Sequence, residues 1–409
     1  MKDLLILGAG TGGSLMANKL ARTLSEDWHI TIVDRDDAHV YQPGLLFLPF
    51  GDTEARDLVR PRRRLLDRRV RYVNGEIHAV TPERQEVAIG GLEAPLRYDL
   101  LIIATGTALY PEDTPGLTGP GWRERVHEFY TLEGSKALAA RLERFEGGRL
   151  VVGPIEMPIK CPVAPLEFAF LADAWCTKKG IRDKTEIVYV TPLDGAFTKP
   201  VASRELSSMM ARRNIRVVAN FATSEVDGNA GVVKAFSGQE EPFDLLVSVP
   251  LHGGTPAMRT SGLGDDQGFV RTDKHTLQSK SFENIFVIGD ATDLPTSKAG
   301  AVAHFQGDVL INNVLRFVDG QPPLPAFDGH ANCFIETGHG KAMLIDFNYD
   351  TQPLPGRFPL PGVGPFTLLQ ESAINHWGKL SFRWIYWNLL VRGKELPLDH
   401  GLQLAGKWS

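Results

Sequence analysis

The feature that most restricts this chain is a glycine turn near its start. Leu4 to Leu7 is a short apolar run suited to a strand, and Gly8-Ala9-Gly10-Thr11-Gly12-Gly13 leads it into helical spacing through Leu15, Ala17 and Leu20. A G-x-G-x-x-G turn between strand and helix lets backbone N–H groups approach a pyrophosphate, where bulkier side chains would stand in the way. A second strand-like run, Ile30 to Val33, ends at Asp34, about 20 residues on, where a carboxylate can accept from a ribose hydroxyl. Strand, turn, helix, strand and acid in register predict a dinucleotide site on an α/β fold.

The rest of the chain extends that fold. Its 409 residues, 43% of them hydrophobic, suffice for about two to three domains with their own cores. Leu100 to Ile103 reads as a buried parallel strand ending in Ala104-Thr105-Gly106, and Ile285 to Ile288 reads as another, running into Gly289-Asp290. Between them, from about Tyr110 to Leu263, lie separate strand and helix signals: Leu150 to Val152, Leu166 to Trp175, Glu186 to Val190 and Leu245 to Val247. Helical spacing then runs from Gly300 to Phe317. The predicted architecture is two tandem Rossmann-like units, the first discontinuous, followed by a C-terminal segment. The expected boundaries are residues 1–110, 111–265, 266–328 and 329–409.

The second unit opens differently from the first. After Arg149 to Val152 comes Gly153-Pro154-Ile155-Glu156-Met157-Pro158-Ile159-Lys160-Cys161-Pro162-Val163-Ala164-Pro165-Leu166-Glu167. Bulk and proline replace the small residues that a phosphate turn needs. A nicotinamide dinucleotide is not expected there. A thiol in a rigid loop is suited to redox chemistry, although a lone cysteine is often an inert core residue. Cys161, Cys176 and Cys333 are too few and too scattered for a secreted disulfide framework or a zinc site. A net charge of −5 argues against a nucleic-acid partner. No cleaved signal is expected, since Met1-Lys2-Asp3 runs directly into the first strand, and no apolar stretch reaches the ~20 residues of a membrane-spanning helix.

Gly8 to Gly13, Asp34, Ala104 to Gly106 and Ile285 to Asp290 resemble, in order, the FAD signatures of the two-dinucleotide-binding-domain flavoproteins. Lys160 to Glu167, Val249 to Gly254 and Asn332 to Gly340 are similar to the sulfide:quinone oxidoreductase and flavocytochrome c sulfide dehydrogenase branch, and the similarity covers nearly the whole chain. The resemblance implies FAD against Gly8, Ala9, Gly10, Gly12, Gly13, Asp34, Ile77, Thr105, Gly106, Gly289, Asp290, Lys298 and Gly300. It also implies a redox pair of Cys161 and Cys333, with Cys333 beside the flavin and Cys176 inert. Hydrosulfide would attack the pair's disulfide, leaving a persulfide and a thiolate that feeds two electrons to the flavin. Glu167 is the candidate for moving protons, with a plain solvated glutamate as its alternative, and His252 is a second candidate whose alternative is a structural loop histidine. Tyr130-Thr131 and Asp194 to Phe197 lack the third cysteine and the histidine of some members, which leaves a two-cysteine scheme.

Covalent FAD in flavocytochrome relatives uses a cysteine in the loop matching Val40 to Gly44. Tyr41-Gln42-Pro43 stands here, so FAD is expected to be noncovalent. His39 to Gly51 is expected along the cofactor, leading into a mobile loop, and the arginine-rich run from Arg60 to Arg71 is expected to be a solvated face. Between Trp377 and Arg392, aromatics and aliphatics alternate with basic residues in a pattern suited to an interfacial helix: Trp377, Trp384 and Trp387 as anchors, Lys379 and Arg383 toward headgroups. A membrane surface, membrane quinone and sulfide are the implied partners, a peripheral membrane location is expected, and a homo-oligomer is left open. Phe366, Trp377 and Lys379 are candidates to line the quinone path. Truncation near Gly362 is expected to abolish membrane attachment and quinone reduction while sparing flavin reduction by sulfide. The residues also leave open a type II NADH dehydrogenase and a noncatalytic flavin-binding sensor.

Overall fold

The computed structural model describes residues 1–360, 362–396 and 400–408. Its first parallel sheet has the order Ile285–Val287, Leu100–Ile103, Lys2–Leu7, Trp28–Asp34, Val70–Asn74. Leu100–Ile103 lies between two strands and is buried along its length, as its unbroken apolar sequence requires. The second unit repeats the pattern with Val126–His127, Leu245–Val249, Gly148–Pro154, Thr185–Val190, Ile215–Val218. In each sheet a later strand returns beside the one that opens the unit. The two crossings between the units, Ala108–Tyr110 and Leu251–Gly253, pair antiparallel with each other.

Three helices carry most of the site. Thr11–Thr23 follows the glycine turn, Ala164–Lys179 follows the Cys161 loop, and Gly300–Val318 follows the Gly289-Asp290 turn. Ala164–Lys179 is buried on nearly all sides at its N-terminal half and ends at Gly180, whose φ of +74° closes the helix.

Beyond residue 329 a sheet precedes the helix expected near Trp377. Ala331–Gly338, Lys341–Phe347, Gly364–Leu368 and Gly356–Leu360 form a four-stranded sheet in that order. One helix, Ala373–Ile385, packs on it and continues into a π-turn over Tyr386–Leu390. Ser372 caps this helix by accepting from Asn375 N–H. No helix among the described residues is long and apolar enough to cross a membrane.

Candidate active site

The glycine turn is built by close approach. Gly8 adopts φ +94°, and a Cβ there would meet Ala104 O at 2.4 Å, while one on Gly13 would meet Gly8 O at 1.8 Å. Gly12 packs more loosely on Ile288. By contrast, a Cβ on Gly10, Gly106, Gly289 or Gly300 would have nothing within 4 Å. These four positions leave open space beside the carboxyl ends of the strands, where doubly wound sheets take dinucleotides. Thr105 Oγ1 is buried there with no protein partner. Gly300 opens a 19-residue helix that no side chain caps, so its N–H groups remain for an acceptor. Gly289 N–H donates to Gln306 Oε1 at 2.7 Å. The donors and the space fit FAD.

Asp34 accepts from Ala9 N–H at 2.7 Å and lies 3.3 Å from Arg62 Nη2. Ile77 opens the strand Ile77–Thr81 two residues after Gly75, whose N–H donates to Asp34 O. Arg62 belongs to the run expected to be solvated, yet it is 11% exposed and donates to Ala9 O at 2.7 Å. Its guanidinium holds the turn from behind. His39 does the same through Nδ1, 3.1 Å from Ala9 O. Burial depresses the His39 imidazole to about 3, with Arg62 adding to the effect, so the ring is neutral and Nε2 accepts. Tyr386 Oη donates to it at 2.7 Å and in turn accepts from Thr11 Oγ1 at 2.8 Å. Neither Arg62, His39 nor Tyr386 carries a motif; only a tertiary contact marks them.

The sequence from 39 to 51 forms two 3₁₀ turns, Gln42–Leu46 and Leu48–Phe50. Tyr41, Leu45 and Leu48 are buried against Tyr386, Trp387 and Leu390, so the segment expected along the cofactor also lines the core. Trp387 is 2% exposed, tilted against Tyr41, with Arg60 4.6 Å above its ring. It therefore is not the outward anchor anticipated from the sequence.

Cys161, half-buried, and Cys333, buried and 172 positions further on, come into one neighbourhood of the same apolar cluster. Both are free thiols in this structure. Cys161 has φ +48°, an uncommon conformation for a residue with a side chain. It is held there by N–H donation to Lys298 O at 2.6 Å and by carbonyl acceptance from Ala164 N at 2.9 Å and Tyr130 Oη at 3.2 Å. Burial pushes the Cys161 thiol up to about 12, with Glu167 adding and Lys379 opposing. Burial raises the Cys333 thiol too, and a charge on Cys161 raises it further. Cys176 is fully buried in its helix, apart from them.

Glu167 is fully buried, and its Oε1 accepts from Glu336 N–H at 2.6 Å and from Lys379 Nζ. Oε2 has no protein partner. Lys379 also donates to Phe334 O at 3.0 Å. Burial disfavours its ammonium, but Glu167 and then Glu336 prevail, so the Lys379 pKa is raised. Lys379 thus turns into the protein, opposite to the headgroup position expected. Arg383 stays exposed, with Nη1 3.3 Å from Thr53 Oγ1. Phe366 stands edge-on to Phe334 at 5.1 Å, and a Cβ on Gly378 would meet Phe366 Cε1 at 2.5 Å. Phe366 and Lys379 are therefore brought together; Trp377, 65% exposed on the other side of the helix, is not.

Lys298 is neither a surface lysine nor aimed freely at the cofactor space. Its ammonium donates to Asp290 O at 2.9 Å and Thr292 O at 2.6 Å, over the Phe269 ring at 4.0 Å. Burial lowers its pKa to about 8, with Asp290 opposing. Burial raises the Asp290 carboxyl against the pull of Lys298 and Lys160. His252 is buried on Leu251–Gly253, bonded through Nδ1 to Pro250 O at 2.9 Å, and burial lowers it to about 3. It is a poor proton carrier near neutral pH.

The fold and this thiol, carboxylate and glycine constellation define a class. The chain belongs to the pyridine nucleotide-disulphide oxidoreductase family, whose profile matches residues 2–307. Within it, the chain is similar to the mitochondrial sulfide:quinone oxidoreductase of Mus musculus, 28% identical over 399 residues that span 96% of this chain and 86% of the relative. The corresponding protein of Schizosaccharomyces pombe is 26% identical over 430 residues, spanning 97% and 92%. The solved sulfide:quinone oxidoreductase of the hyperthermophilic bacterium Aquifex aeolicus shares the fold with a TM-score of 0.82, over 96% of this chain and 92% of that one, at 21% identity. These likenesses identify an enzyme of the flavoprotein oxidoreductase class.

Proposed function

We propose that this chain is an FAD-dependent enzyme that oxidises sulfide at Cys161 and Cys333 and passes the electrons to a membrane quinone. The observation that carries the reading is the convergence of both cysteines on the Glu167–Lys379 pair, next to a cradle that fits FAD. FAD, when bound noncovalently across Gly10, Gly106, Gly289 and Gly300, supplies a two-electron carrier between sulfur and quinone.

The chain's own groups set up the rest. In the oxidised pair, hydrosulfide attacks one cysteine sulfur, breaking the disulfide and leaving a persulfide on one residue and a thiolate on the other. A second hydrosulfide removes the outer sulfur as polysulfide, and loss of two electrons re-forms the disulfide. Lys379 lowers the cost of negative charge on both sulfurs. Glu167, with Oε2 unengaged, is placed to hold the proton that hydrosulfide gives up. Lys379, at the Phe334–Phe366 edge, donates a proton to the quinone oxygen.

Outward apolar groups support a membrane-bound setting. Ile374, Trp377, Leu380 and Trp384 share the exposed side of Ala373–Ile385, and Leu360, Val363, Leu404 and Trp408 add further exposed bulk. Exposed apolar bulk of this kind suits insertion into the bilayer interface. An NADH-oxidising alternative lacks support. The strand Gly148–Pro154 runs into a loop that reaches its helix only at Ala164, and a Cβ on Gly153 would meet Val190 O at 2.0 Å.

Anaerobic sulfide added to purified protein is expected to bleach the flavin, and decylubiquinone to restore it. Bleaching by micromolar NADH with no response to sulfide would refute the assignment.

A further inference from the structure

In the Glu167–Lys379 pair the carboxylate is 1% exposed and the ammonium side chain 13%, so contact with water is slight. Glu336 N–H bonds Glu167 directly, and the Glu336 side chain, on the same strand as Cys333, is 1% exposed. His376, one turn before Lys379, places Nδ1 at 2.9 and 3.0 Å from the two Glu336 oxygens, and its side chain is 22% exposed. From inside, the charges of Lys379 and Glu167 act on Glu336. From outside, Asp52 lies within reach of His376, with Lys178 beside it. Lys341, on the underlying strand, is engaged 3.6 Å from Glu371.

Stoichiometry requires a proton from outside. Oxidation of hydrosulfide to zero-valent sulfur releases two electrons and one proton, whereas reduction of quinone to quinol takes two electrons and two protons. The balance, HS⁻ + Q + H⁺ → S⁰ + QH₂, draws one proton from solvent per turnover. We propose that His376 and Glu336 form the proton inlet of the quinone half-reaction, delivering solvent protons to Lys379. The inference rests on the sulfide:quinone reading above. His376 takes a proton from water on its outer nitrogen and releases the Nδ1 proton to Glu336. Glu336 then reprotonates Lys379 after that amine has given its proton to the quinone oxygen. Burial raises the Glu336 carboxyl pKa, with Lys379 and His376 opposing, which suits a group that must hold a proton in transit.

The alternative is that His376 merely clamps the helix to the sheet. His376→Gln keeps a donor for Glu336 but cannot relay a proton, so it separates the two roles. In stopped-flow measurements on the full, FAD-loaded chain, flavin reduction by sulfide serves as the internal control. Reoxidation by decylubiquinone is expected to slow about tenfold or more above pH 7, with proton uptake, followed by a pH dye, delayed in parallel. Added imidazole is expected to restore both. Glu336→Gln is expected to show the same slowing without rescue. Wild-type reoxidation rates in both variants, or a slowing of His376→Gln that imidazole leaves untouched, would overturn the inlet. If wild-type protein is not bleached by sulfide, the parent reading fails instead, which the control reveals separately.

Discussion

Cys161→Ser and Cys333→Ser are each expected to keep FAD yet lose sulfide-driven flavin reduction by about two orders of magnitude or more, since each removes half of an exchange pair. Normal sulfide turnover in either variant would contradict the scheme. Cys176→Ser, at a buried helical site apart from the pair, is expected to leave turnover unchanged and cost about 1 kcal/mol of stability. Acid precipitation is expected to release all the FAD, because Tyr41 stands where a linking cysteine would be; a yellow pellet would refute this. Cys161, Glu167 and the glycines could be picked out from sequence because their meaning is carried by near neighbours: a turn between strand and helix, or a proline-braced thiol. Arg62 and His39 could not. Their role is to grip a carbonyl at position 9, and nothing adjacent to them in sequence signals that partner.

The helix Ala373–Ile385 shows where periodicity stops informing. Its spacing separates an apolar face from a basic one, and the basic face was expected to meet headgroups. The structure turns Lys379 inward and leaves Arg383, Ile374, Trp377 and Trp384 exposed. A buried carboxylate, Glu167, settles the orientation, and it lies 212 positions away. The double variant Trp377→Ser with Trp384→Ser is expected to keep FAD and sulfide-driven reduction while losing vesicle binding. At about 2 kcal/mol for each ring buried at the interface, partitioning falls by roughly two to three powers of ten. Undiminished sedimentation with vesicles would show that another surface holds the membrane. The π-turn that follows leads to a different expectation for truncation. Removal of the chain from Gly362 also removes Tyr386 and Trp387 from the cofactor turn, so FAD should be lost along with quinone reduction. Tyr386→Phe isolates the effect. Loss of its hydroxyl should weaken FAD binding about tenfold, the equivalent of one buried hydrogen bond of ~1.4 kcal/mol. Flavin fluorescence on dilution measures this, and an unchanged dissociation constant would remove Tyr386 from the cofactor's support.

Across the whole molecule, buried neutral histidines tie stability to pH. Burial is the leading cause of depression in His39 and His252, each to about 3, and in His127, to about 4. Their unfolded forms bind protons near pH 6.5 and the folded forms do not. Stability is therefore full above that value and falls as the pH drops toward 4, by about 2 kcal/mol per histidine at pH 5. Asp290 and Glu336, whose carboxyls burial raises, offset part of the loss. Melting temperature should decline steadily from pH 6.5 to 5, and a flat profile would contradict this account. The link between Thr11 and Tyr386 has a consequence for how the protein is made. Translation produces the phosphate turn early and its hydroxyl partner 375 residues later. While the N-terminal unit is already collapsing on the ribosome, the turn still lacks the contact that completes it. Cofactor capture is therefore expected to wait until synthesis has passed the C-terminal helix, and a chain interrupted before Tyr386 is expected to stay colourless.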